Sequence, residues 1–426
     1  MPRMPRAPSY APAVHPRSLR VAVIGVVPAN KGSGSMLQAV VDALPGAIGD
    51  CRVDVLSAHP GVEVRKHPRT EVRVIHYRPA AMVFPNLPMA LLARVLRALR
   101  LPTAFACRTK VLRSLAGADI VIDVAGISFS DGRGVPILVY NVLMTGTPLL
   151  LGRPVVKCAQ ALGPFDGFLT RVAARAVLPR VEVVCARGAT TEQHLTALGL
   201  ENVAPAGDLA FAMEHGADDD AWVAERIAPF VDREFVVVAP SAVVEGLCAK
   251  AGIDYRGAVV AFVRALAERG EHVVLVAHSS LLDGQASRVN DLPLVVDVGA
   301  RVGGGDRVVT LAEPVSPTRL RALIERAAFL VTSRFHAMIS GLATGTPVLV
   351  VGWSHKYGEV LADFGLERWC IDYEAISGED LLRRYDELRG ATAEVQHAIA
   401  AAGPAVRAKA QVNFDQIARV VSGRAA

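Results

Sequence analysis

The sequence lacks the cysteine pairs that zinc sites and disulfide frameworks use. None of its six cysteines belongs to a CxxC motif or a His/Cys cluster; they are Cys51, Cys107, Cys158, Cys185, Cys248 and Cys370. This spacing argues against a structural zinc site. It favours a reducing compartment, in which the thiols serve as small buried hydrophobes.

A strong excess of one charge is also missing. The 46 basic and 41 acidic residues give a net charge of +5, and four of these five charges lie in residues 1–20. A nucleic-acid surface needs a basic stripe on a folded face, so nucleic acid is not expected as a partner. With 52% hydrophobic and 20% charged residues, the chain can bury large cores and is not mainly disordered.

The sequence shows no secretion signal. Residues 1–18 contain five prolines and no apolar core, so they are predicted to be a disordered leader. The longest uncharged stretch, Gly134–Gly152, nearly has the length of a membrane span. Interruptions such as Pro136 and Pro148 favour a buried helix with a turn instead.

Short β-branched runs recur, and each is followed by a turn and a helical pattern. The clearest are Leu19–Val27, Asp119–Val124, Pro154–Ala159, Val181–Cys185, Phe235–Ala239, His272–Ala277, Phe329–Thr332 and Pro347–Val351. Near-continuous apolar runs that alternate with helices are typical of parallel strands buried on both faces. The predicted class is α/β, doubly wound.

The strands fall into two groups, separated by Pro205–Asp220, where hydrophobic periodicity is lost. We predict two Rossmann-like domains facing across a cleft, at residues 19–207 and 208–370, followed by C-terminal helices over 371–426. In open α/β sheets, ligands bind at the carboxyl ends of the strands. The loops that follow the strands are therefore the places to look for a site.

The first such loop, Asn30–Ser35 (NKGSGS), follows strand 19–27 and precedes a predicted helix at Met36–Leu44. Its glycines allow close approach of a ligand, and the helix start favours anions. The loop fits neither the dinucleotide fingerprint nor the Walker A motif. Asn30, Gly32 and Ser33 are candidates for ligand contact, and a turn needed only for geometry is the alternative.

The second loop, Val124–Asp131, follows strand 119–124. Gly126 suits close approach of a ligand. Asp131 could accept a hydrogen bond from a substrate hydroxyl or act as a base. The alternative is that Asp131 caps a helix or turn.

The third loop, Thr332–Ala337 (TSRFHA), carries the strongest signal. Ser333 is the predicted N-cap of a helix that ends near Gly345, and Arg334 and His336 fall in its first turn. The helix dipole disfavours cations there, so an anionic ligand at the same place explains them better. A surface arginine and a histidine bonded to nearby backbone are the alternative.

The fourth loop, Gly352–Tyr357, follows the next strand and carries Lys356. Because both loops leave carboxyl ends in one sheet, Arg334, His336 and Lys356 can converge. Three basic groups at a helix N-terminus suit a phosphate plus a carboxylate. A solvated lysine is the alternative for Lys356.

Leu87–Arg100 reads as a basic amphipathic helix, and no acidic residue occurs between Val72 and Ala118. Such a helix can rest on an anionic membrane. The favoured interpretation is an ordinary packed helix with arginines that snorkel to solvent.

Further motifs accompany these loops: Gln160–Phe165 (QALGPF), Cys185–Arg187 (CAR), Gly207–Phe211 (GDLAF) and Gly345–Pro347 (GTP). Together with Asn30–Gly32, Val121–Asp131, Ser333–Ala337 and Lys356, they resemble the polysaccharide pyruvyl transferase family from about residue 20 to 370. The sequence departs from the family where Ser33 replaces a common acid and where the glycine triplet is reduced to Ala125-Gly126-Ile127. Both departures lie in the domain that we assign to the acceptor.

The resemblance implies a GT-B-like fold and transfer of pyruvyl from phosphoenolpyruvate to two sugar hydroxyls, giving a cyclic ketal and phosphate. The donor's partners would be Arg334, Lys356 and the helix N-terminus. His336 is the candidate general acid, or else a hydrogen-bond donor to the departing phosphate. Asp131 is the candidate base. Arg187 could complete the anion clamp or form a structural salt bridge.

No step of this reaction requires a cofactor or a metal ion, and no ligand cluster offers a metal site; Mg²⁺ bound through the phosphate stays open. The expected partners are phosphoenolpyruvate and a sugar acceptor, for which a lipid-linked sugar is one option. The expected location is cytoplasmic, with weak peripheral contact at the inner membrane face through residues 87–100. Two rival functions are a GT-B glycosyltransferase with a nucleotide-sugar donor and a non-catalytic saccharide- or anion-binding protein.

Overall fold

The computed structural model describes residues 18–27, 31–59, 61–230, 232–280, 290–303 and 305–424. Their contacts divide the chain into two compact units. The N-terminal unit holds residues 18–27, 36–213 and 407–424, and the C-terminal unit holds residues 31–35 and 214–406. The division after Met213 falls close to the predicted boundary at residue 207. The units are not contiguous in sequence. Residues 31–35 group with the C-terminal unit, and the end of the last helix, from Arg407, groups with the N-terminal unit.

The N-terminal unit contains a seven-stranded sheet in which every pairing is parallel. The strands are β1 Leu19–Ile24, β2 Cys51–Ser57, β3 Thr70–His76, β4 Ile120–Asp123, β5 Val155–Gln160, β6 Val183–Arg187 and β7 Val203–Ala206. Their order is β3-β2-β1-β4-β5-β6-β7. All residues of β4, β5 and β6 are buried, as expected for parallel strands covered on both faces.

The α-helices of the chain's first half surround this sheet. They are α1 Lys31–Ile48, α2 Pro79–Ala81, α3 Leu87–Ala98, α4 Lys110–Gly117, α5 Val135–Leu150, α6 Phe168–Val177 and α7 Ala189–Ala197, with a π-helical turn at Met82–Asn86. Short 3₁₀ helices lie at Ala104–Cys107, Leu178–Arg180 and Leu209–Ala212.

The C-terminal unit contains a six-stranded parallel sheet. The strands are β8 Phe235–Ala239, β9 His272–Val276, β10 Val308–Leu311, β11 Phe329–Thr332, β12 Val348–Gly352 and β13 Cys370–Asp372. Their order is β10-β9-β8-β11-β12-β13. The central strands β8, β11 and β12 are fully buried.

The remaining helices follow in chain order. They are α8 Ala217–Arg226, α9 Ala242–Lys250, α10 Tyr255–Glu268, α11 Leu292–Val302, α12 Pro317–Arg326, α13 Phe335–Thr344, α14 His355–Ala362, α15 Gly378–Gly390 and α16 Thr392–Ser422. Short 3₁₀ helices lie at Ala228–Phe230, Glu367–Trp369 and Tyr373–Ala375. Two Rossmann-like, doubly wound α/β domains are thereby confirmed, and all eight predicted strands are present.

Two local predictions differ from the structure. Helix α1 begins at Lys31, so the glycines predicted as a loop form its first turn. Helix α13 begins after Arg334, which takes the N-cap position predicted for Ser333. Asn30 and the leader up to residue 17 lie outside the described residues.

The uncharged stretch Gly134–Gly152 forms one sixteen-residue helix, α5. The prediction that it is buried holds for its second half, which includes Met144 and Pro148, and is wrong for its first half. Val135, Ile137 and Val139 are exposed there.

The cysteines are placed as small buried hydrophobes. Five of the six are buried, Cys370 is half-buried, and all are free. Burial raises the pKa of the Cys51 thiol to about 11 and that of the Cys185 thiol to about 12. These thiols are therefore protonated and unreactive near neutral pH.

A buried ion pair lies at the centre of the N-terminal sheet. The Lys157 side chain on β5 is inaccessible to solvent, and its ammonium donates to the Asp123 carboxylate at the end of β4. Lys157 Nζ also lies 3.3 Å from Thr145 Oγ1 and 5.3 Å from the centre of the Phe129 ring. The pair ties two neighbouring strands together just before the second predicted loop.

We expect Lys157→Met to destabilise the protein by about 3–5 kcal/mol, because it leaves a buried carboxylate without its counter-ion. Urea unfolding measures the loss. A second change, Asp123→Leu, should restore much of the stability in the double variant, since no unpaired charge is left. A single variant as stable as the parent would contradict this account.

Candidate functional site

The carboxyl ends of four adjacent strands of the C-terminal sheet bring polar residues together. Ser241 follows β8, His278 follows β9, Arg334 follows β11 and Lys356 follows β12. The sheet order places β9, β8, β11 and β12 side by side, so these loops share one edge. This is the edge at which parallel α/β sheets bind ligands.

Arg334 is held by a buried carboxylate at this edge. Its Nε donates to Asp291 Oδ2 at 2.8 Å, and its Nη2 donates to Asp291 Oδ1. The backbone N–H groups of Ala242 and Ser279 each donate to one oxygen of the same carboxylate, both at 2.9 Å. Two donors on each oxygen leave no place for a proton, so Asp291 is present as a carboxylate.

The pKa of Asp291 is governed by opposing effects. Burial raises the pKa above its ordinary value, while the Arg334 guanidinium and the two backbone donors act in the opposite direction. Because the carboxylate side chain is fully buried and Arg334 is its cation, each group depends on the other. Arg334 therefore has a structural partner as well as its predicted ligand.

His278 is buried, and its neighbours are basic side chains. Burial lowers the pKa of His278 well below its ordinary value, and the neighbouring His336, Arg334, Lys31 and Arg321 lower it further. His278 is therefore neutral near pH 7. These five residues, with Asp291 as the carboxylate that pairs with Arg334, form what we call the basic cluster. Its balance of charge is positive, which favours an anionic ligand.

His336 is packed against the first turn of α1. The imidazole is 9% exposed and meets the Phe335 ring edge-on, with ring centres 5.1 Å apart. A Cβ atom built on Gly32 would overlap the ring atoms Nδ1, Cε1 and Cγ of His336. Glycine at position 32 is thus required by the close approach of the histidine, which explains the Gly-rich turn.

We expect Gly32→Ala to displace the His336 ring and to lower activity at least tenfold, since small misplacements of catalytic groups are costly. Gly46→Ala is the matched control, because Gly46 lies in the same helix and a Cβ there meets nothing within 4 Å. Gly46→Ala should keep full activity and gain slight stability. Equal activity of the two variants would contradict the close approach.

Lys356 lies in the first turn of α14, between two aromatic rings. Its Nζ is 5.5 Å from the centre of the Trp353 ring and 5.8 Å from that of Phe335. These cation–π contacts hold the ammonium beside Phe335, the residue next to His336. The structure thus brings Lys356 to the same edge as Arg334 and His336.

Ser333 is fixed by two buried tyrosines. Its hydroxyl and the Tyr255 hydroxyl are 2.7 Å apart, and its carbonyl accepts from the Tyr357 hydroxyl at 3.0 Å. The predicted capping role of Ser333 is therefore wrong, because its hydroxyl bonds to Tyr255 and Arg334 takes the N-cap. Ser33, the other serine candidate, is buried in the first turn of α1.

Two other hydroxyls at this edge of the sheet are buried. Ser241 Oγ and Ser280 Oγ lie at the ends of β8 and β9, and neither has a hydrogen-bond partner among the described residues. Buried hydroxyls are normally bonded. These two serines are therefore further candidates for ligand contact.

The site residues predicted in the N-terminal unit have structural partners. Asp131 accepts from the N–H groups of Asp166 and Gly167 at 2.7 and 3.2 Å, just before α6. Partial burial raises the pKa of Asp131, but hydrogen bonds from Thr170 and from these N–H groups outweigh it and lower the pKa below its usual value. The capping alternative thus accounts for its contacts.

Arg187 and Gly126 also have internal roles. Arg187 Nη1 lies 2.7 Å from Asp208 Oδ2 in a buried ion pair, and Asp208 also accepts from the N–H of Ala210. This is the structural salt bridge that the sequence left as the alternative. A Cβ on Gly126 would lie 3.5 Å from Met36 Cε, an ordinary contact, so packing does not require glycine there.

Sequence reasoning missed His278, Asp291 and Arg321. His278 could have been found, because it follows a predicted strand directly. Asp291 and Arg321 gave no signal, since each lies away from a strand end and meets the cluster only through the fold. Among the described residues, no group of three or more His, Cys, Asp or Glu side chains could hold a metal ion.

Solved structures with this fold include the S. aureus MnaA structure with UDP. It is 12% identical, covers 90% of this chain and 91% of its own, and has a TM-score of 0.54. A UDP-N-acetylglucosamine 2-epimerase is 14% identical, covers 92% of this chain and 94% of its own, and has a TM-score of 0.53. At such identities the likeness shows the fold alone, and it confirms the GT-B-like class.

Sequence comparisons give the family. The amylovoran biosynthesis protein AmsJ of Erwinia amylovora is 21% identical over 398 residues, which cover 88% of this chain and 92% of that protein. The family model for polysaccharide pyruvyl transferase matches residues 30–355, which include Arg334 and His336 and end one residue before Lys356. With most of the sequence matched, the chain belongs to the polysaccharide pyruvyl transferase family.

Proposed function

We propose that this chain transfers the pyruvyl group of phosphoenolpyruvate to two hydroxyls of a sugar in a glycan or glycolipid. The products would be a cyclic ketal and phosphate. The observation that carries this proposal is the basic cluster at the carboxyl edge of the C-terminal sheet. The family supports pyruvyl transfer in polysaccharide synthesis, and the cluster supports an anionic donor.

The charges of donor and cluster are complementary. Phosphoenolpyruvate carries one carboxylate and one phosphate, and so up to three negative charges. Lys31, Arg321 and Lys356 supply cations, and the first N–H groups of α13 supply donors for an anion. Arg334 is oriented by Asp291, which holds the guanidinium plane in one position.

The reaction cleaves the C–O bond of the enol phosphate. A proton is added to the methylene carbon, which becomes the methyl group, and the adjacent carbon gains oxocarbenium character. One sugar hydroxyl attacks that carbon and loses its proton. Phosphate then leaves with the C–O electron pair, and the second hydroxyl closes the ring as its proton is released. One of the two hydroxyl protons balances the proton on the methyl group, and the other is taken up by the departing phosphate.

His336 is the proposed general acid for the methylene carbon. It lies in the first turn of α13 among cationic neighbours, and α1 fixes its ring through Gly32. A bound trianion would favour the protonated imidazole at this position. A hydrogen bond to the departing phosphate is the other role that this placement allows.

The proposal includes three residues of the N-terminal unit. Gly126 and Asp131 are proposed for the acceptor side and Arg187 for the anion clamp, while Asn30 lies outside the described residues. The lowered pKa of Asp131 makes it a poor proton acceptor, so its contacts favour positioning of the loop before α6 over a role as base. No step calls for a cofactor, and chelation with EDTA would test a contribution of Mg²⁺.

Incubation with phosphoenolpyruvate and a panel of hexosides tests the proposal. We expect phosphate release that depends on the sugar, together with a matching mass gain on the sugar. Parallel reactions with UDP-sugars test the glycosyltransferase alternative, since a protein of similar fold binds UDP. Glycosyl transfer, or phosphoenolpyruvate binding without phosphate release for any sugar, would overturn the proposal. The proposed location is the cytoplasm, at the inner face of the membrane.

A further inference from the structure

The N-terminal unit has a large apolar surface. Among the described residues, fourteen of the seventeen large apolar side chains that are exposed lie between positions 83 and 172. They are Val83, Phe84, Leu91, Leu92, Val95, Leu99, Leu101, Phe105, Val135, Ile137, Val139, Phe168, Leu169 and Val172. Because α3 packs against α5 and against the short helices on either side of it, and α5 packs against α6, these residues belong to neighbouring segments of the unit. We call them the apolar surface.

Two of these helices have an inverted pattern of side-chain size. In α3 the fully buried residues are the small Ala90 and Ala93, and Met89 and Leu96 pack partly against the core, whereas Leu91, Leu92 and Val95 are exposed to solvent. A helix that packs only within its own domain buries its large apolar residues. The interpretation of Leu87–Arg100 as an ordinary packed helix therefore does not account for the exposure of Leu91, Leu92 and Val95.

Helix α6 repeats this arrangement. Thr170, Ala174 and Val177 are buried, whereas Phe168, Leu169 and Val172 are exposed, with Phe168 77% accessible. Apolar surfaces of this extent are rare on monomeric soluble proteins and mark sites of association.

The charges around the apolar surface have one sign. From Arg78 to Ala118 the chain has seven basic residues and no acidic residue. Arg94 and Arg97 are exposed on α3, Arg171 and Arg175 are exposed on α6, and Arg108 lies over the Phe105 ring at 4.1 Å. These cations complement anionic lipid headgroups. Self-association through the same surface would bring cations against cations.

The length and the interruption of the helix at this surface favour a position on a membrane over a span across it. Pro79–Ala98 is long and apolar enough to cross a bilayer, and 22% of it is buried, but one such segment is weak evidence for a span. The backbone at Phe84 is not helical, with φ −145° and ψ 122°. The regular helix α3 has 12 residues, so it is about 18 Å long and shorter than the roughly 30 Å of the hydrocarbon core.

We propose that the apolar surface docks the N-terminal unit peripherally on an anionic lipid bilayer. The exposed leucines, valines and phenylalanines enter the boundary between headgroups and acyl chains, and the flanking arginines contact the headgroups. The proposal extends well beyond Leu87–Arg100, since it includes the starts of α5 and α6. It is independent of the reaction proposed above.

Sedimentation with vesicles tests the proposal on the full chain. Vesicles of phosphatidylglycerol and phosphatidylcholine are compared with vesicles of phosphatidylcholine alone, at low salt. Val95→Asp should weaken binding to the anionic vesicles about tenfold, because it removes apolar area and adds a repelled charge. Val296→Asp on α11 is the matched control, since Val296 is an exposed helical valine of the C-terminal unit. It should bind like the parent.

A second arm tests the charges. Arg94→Gln and Arg175→Gln should each weaken binding about fivefold. Binding of the parent should fall as salt is raised, because screening shortens the range of the attraction. Melting curves confirm that all variants are folded. Equal recovery of the parent in the supernatant with both vesicle types would overturn the proposal. A dimer that Val95→Asp dissociates, without vesicle binding, would assign the surface to a second copy instead.

Discussion

Arg334→Lys is expected to lose most of the activity although the positive charge is kept. The loss should amount to about 2–4 kcal/mol of transition-state stabilisation, the range for a positioned donor. The guanidinium forks onto Asp291 through Nε and Nη2, and this fork fixes its plane at the edge of the site. An ammonium is a single point of charge and cannot reproduce that geometry. Steady-state kcat/KM for phosphoenolpyruvate measures the loss.

The same substitution also has a structural cost. The Asp291 carboxylate is fully buried and takes two of its four hydrogen bonds from Arg334. Lysine would satisfy it incompletely, and breaking a buried pair outright costs about 3–5 kcal/mol. Urea unfolding of Arg334→Lys must therefore accompany the kinetics, so that activity is compared between folded proteins.

Arg256→Lys is the matched control for this prediction. Arg256 also bridges two carboxylates of the C-terminal unit, with Nε 2.7 Å from Glu245 and Nη1 2.9 Å from Asp297, but it is partly exposed. Exposed pairs contribute little, so this variant should keep its stability and full activity. A folded Arg334→Lys enzyme with near-parental kcat/KM would remove Arg334 from the site.

The fold could be predicted from the sequence because buried parallel strands give continuous apolar runs. Runs such as Phe235–Ala239 and Phe329–Thr332 match β8 and β11 residue for residue, since a strand buried on both faces must be apolar throughout. Strands with mixed patterns were harder to identify. In β3, for example, charged residues alternate with valines, because its side chains are only partly covered.

The positively charged residues of the site could be predicted for a related reason. Arg334, His336 and Lys356 lie within about four residues of the ends of β11 and β12, so the carboxyl-edge rule is enough to bring them together. The partner of Arg334 was not accessible. Asp291 reaches the cluster from the segment between β9 and α11, and no spacing in the sequence connects it with position 334.

For α3, the sequence predicted the amphipathic pattern but not which face is buried. The sequence pattern gave the amphipathic stripe correctly, but a pattern does not say which face meets the protein. Ala90 and Ala93 allow close packing of α3 on its unit, so the larger Leu91 and Val95 remain outside. Only the packing of neighbouring helices decides between these faces.

His336→Asn is expected to retain phosphoenolpyruvate binding and to lose turnover by roughly 10²–10⁴, the usual contribution of a general acid. Asparagine keeps a hydrogen-bonding side chain of similar reach but cannot deliver a proton. Calorimetric binding and single-turnover phosphate release separate the two effects. The Gly46→Ala enzyme serves as the folded, active reference.

The proton that His336 needs should arrive with the ligand. In the free protein, we expect the start of α13 to disfavour the imidazolium of His336, because the helix dipole opposes a cation there. A bound trianion reverses this balance, so binding should take up protons near pH 7. Because the bound state then holds more protons than the free state, affinity should weaken as pH rises. Calorimetry in buffers of different ionisation enthalpy reports the uptake directly.

His278 is the other histidine of the cluster that could accept this proton. Burial and the surrounding cations keep its pKa well below the ordinary value, so a ligand must supply more stabilisation to protonate it than to protonate a less enclosed group. Comparing parent and His336→Asn assigns the uptake: loss of uptake in the variant places the proton on His336. Uptake that persists would point to His278. If the variant also still turns over, His336 is not the acid, and Lys356, held beside Phe335, becomes the next candidate for the proton source.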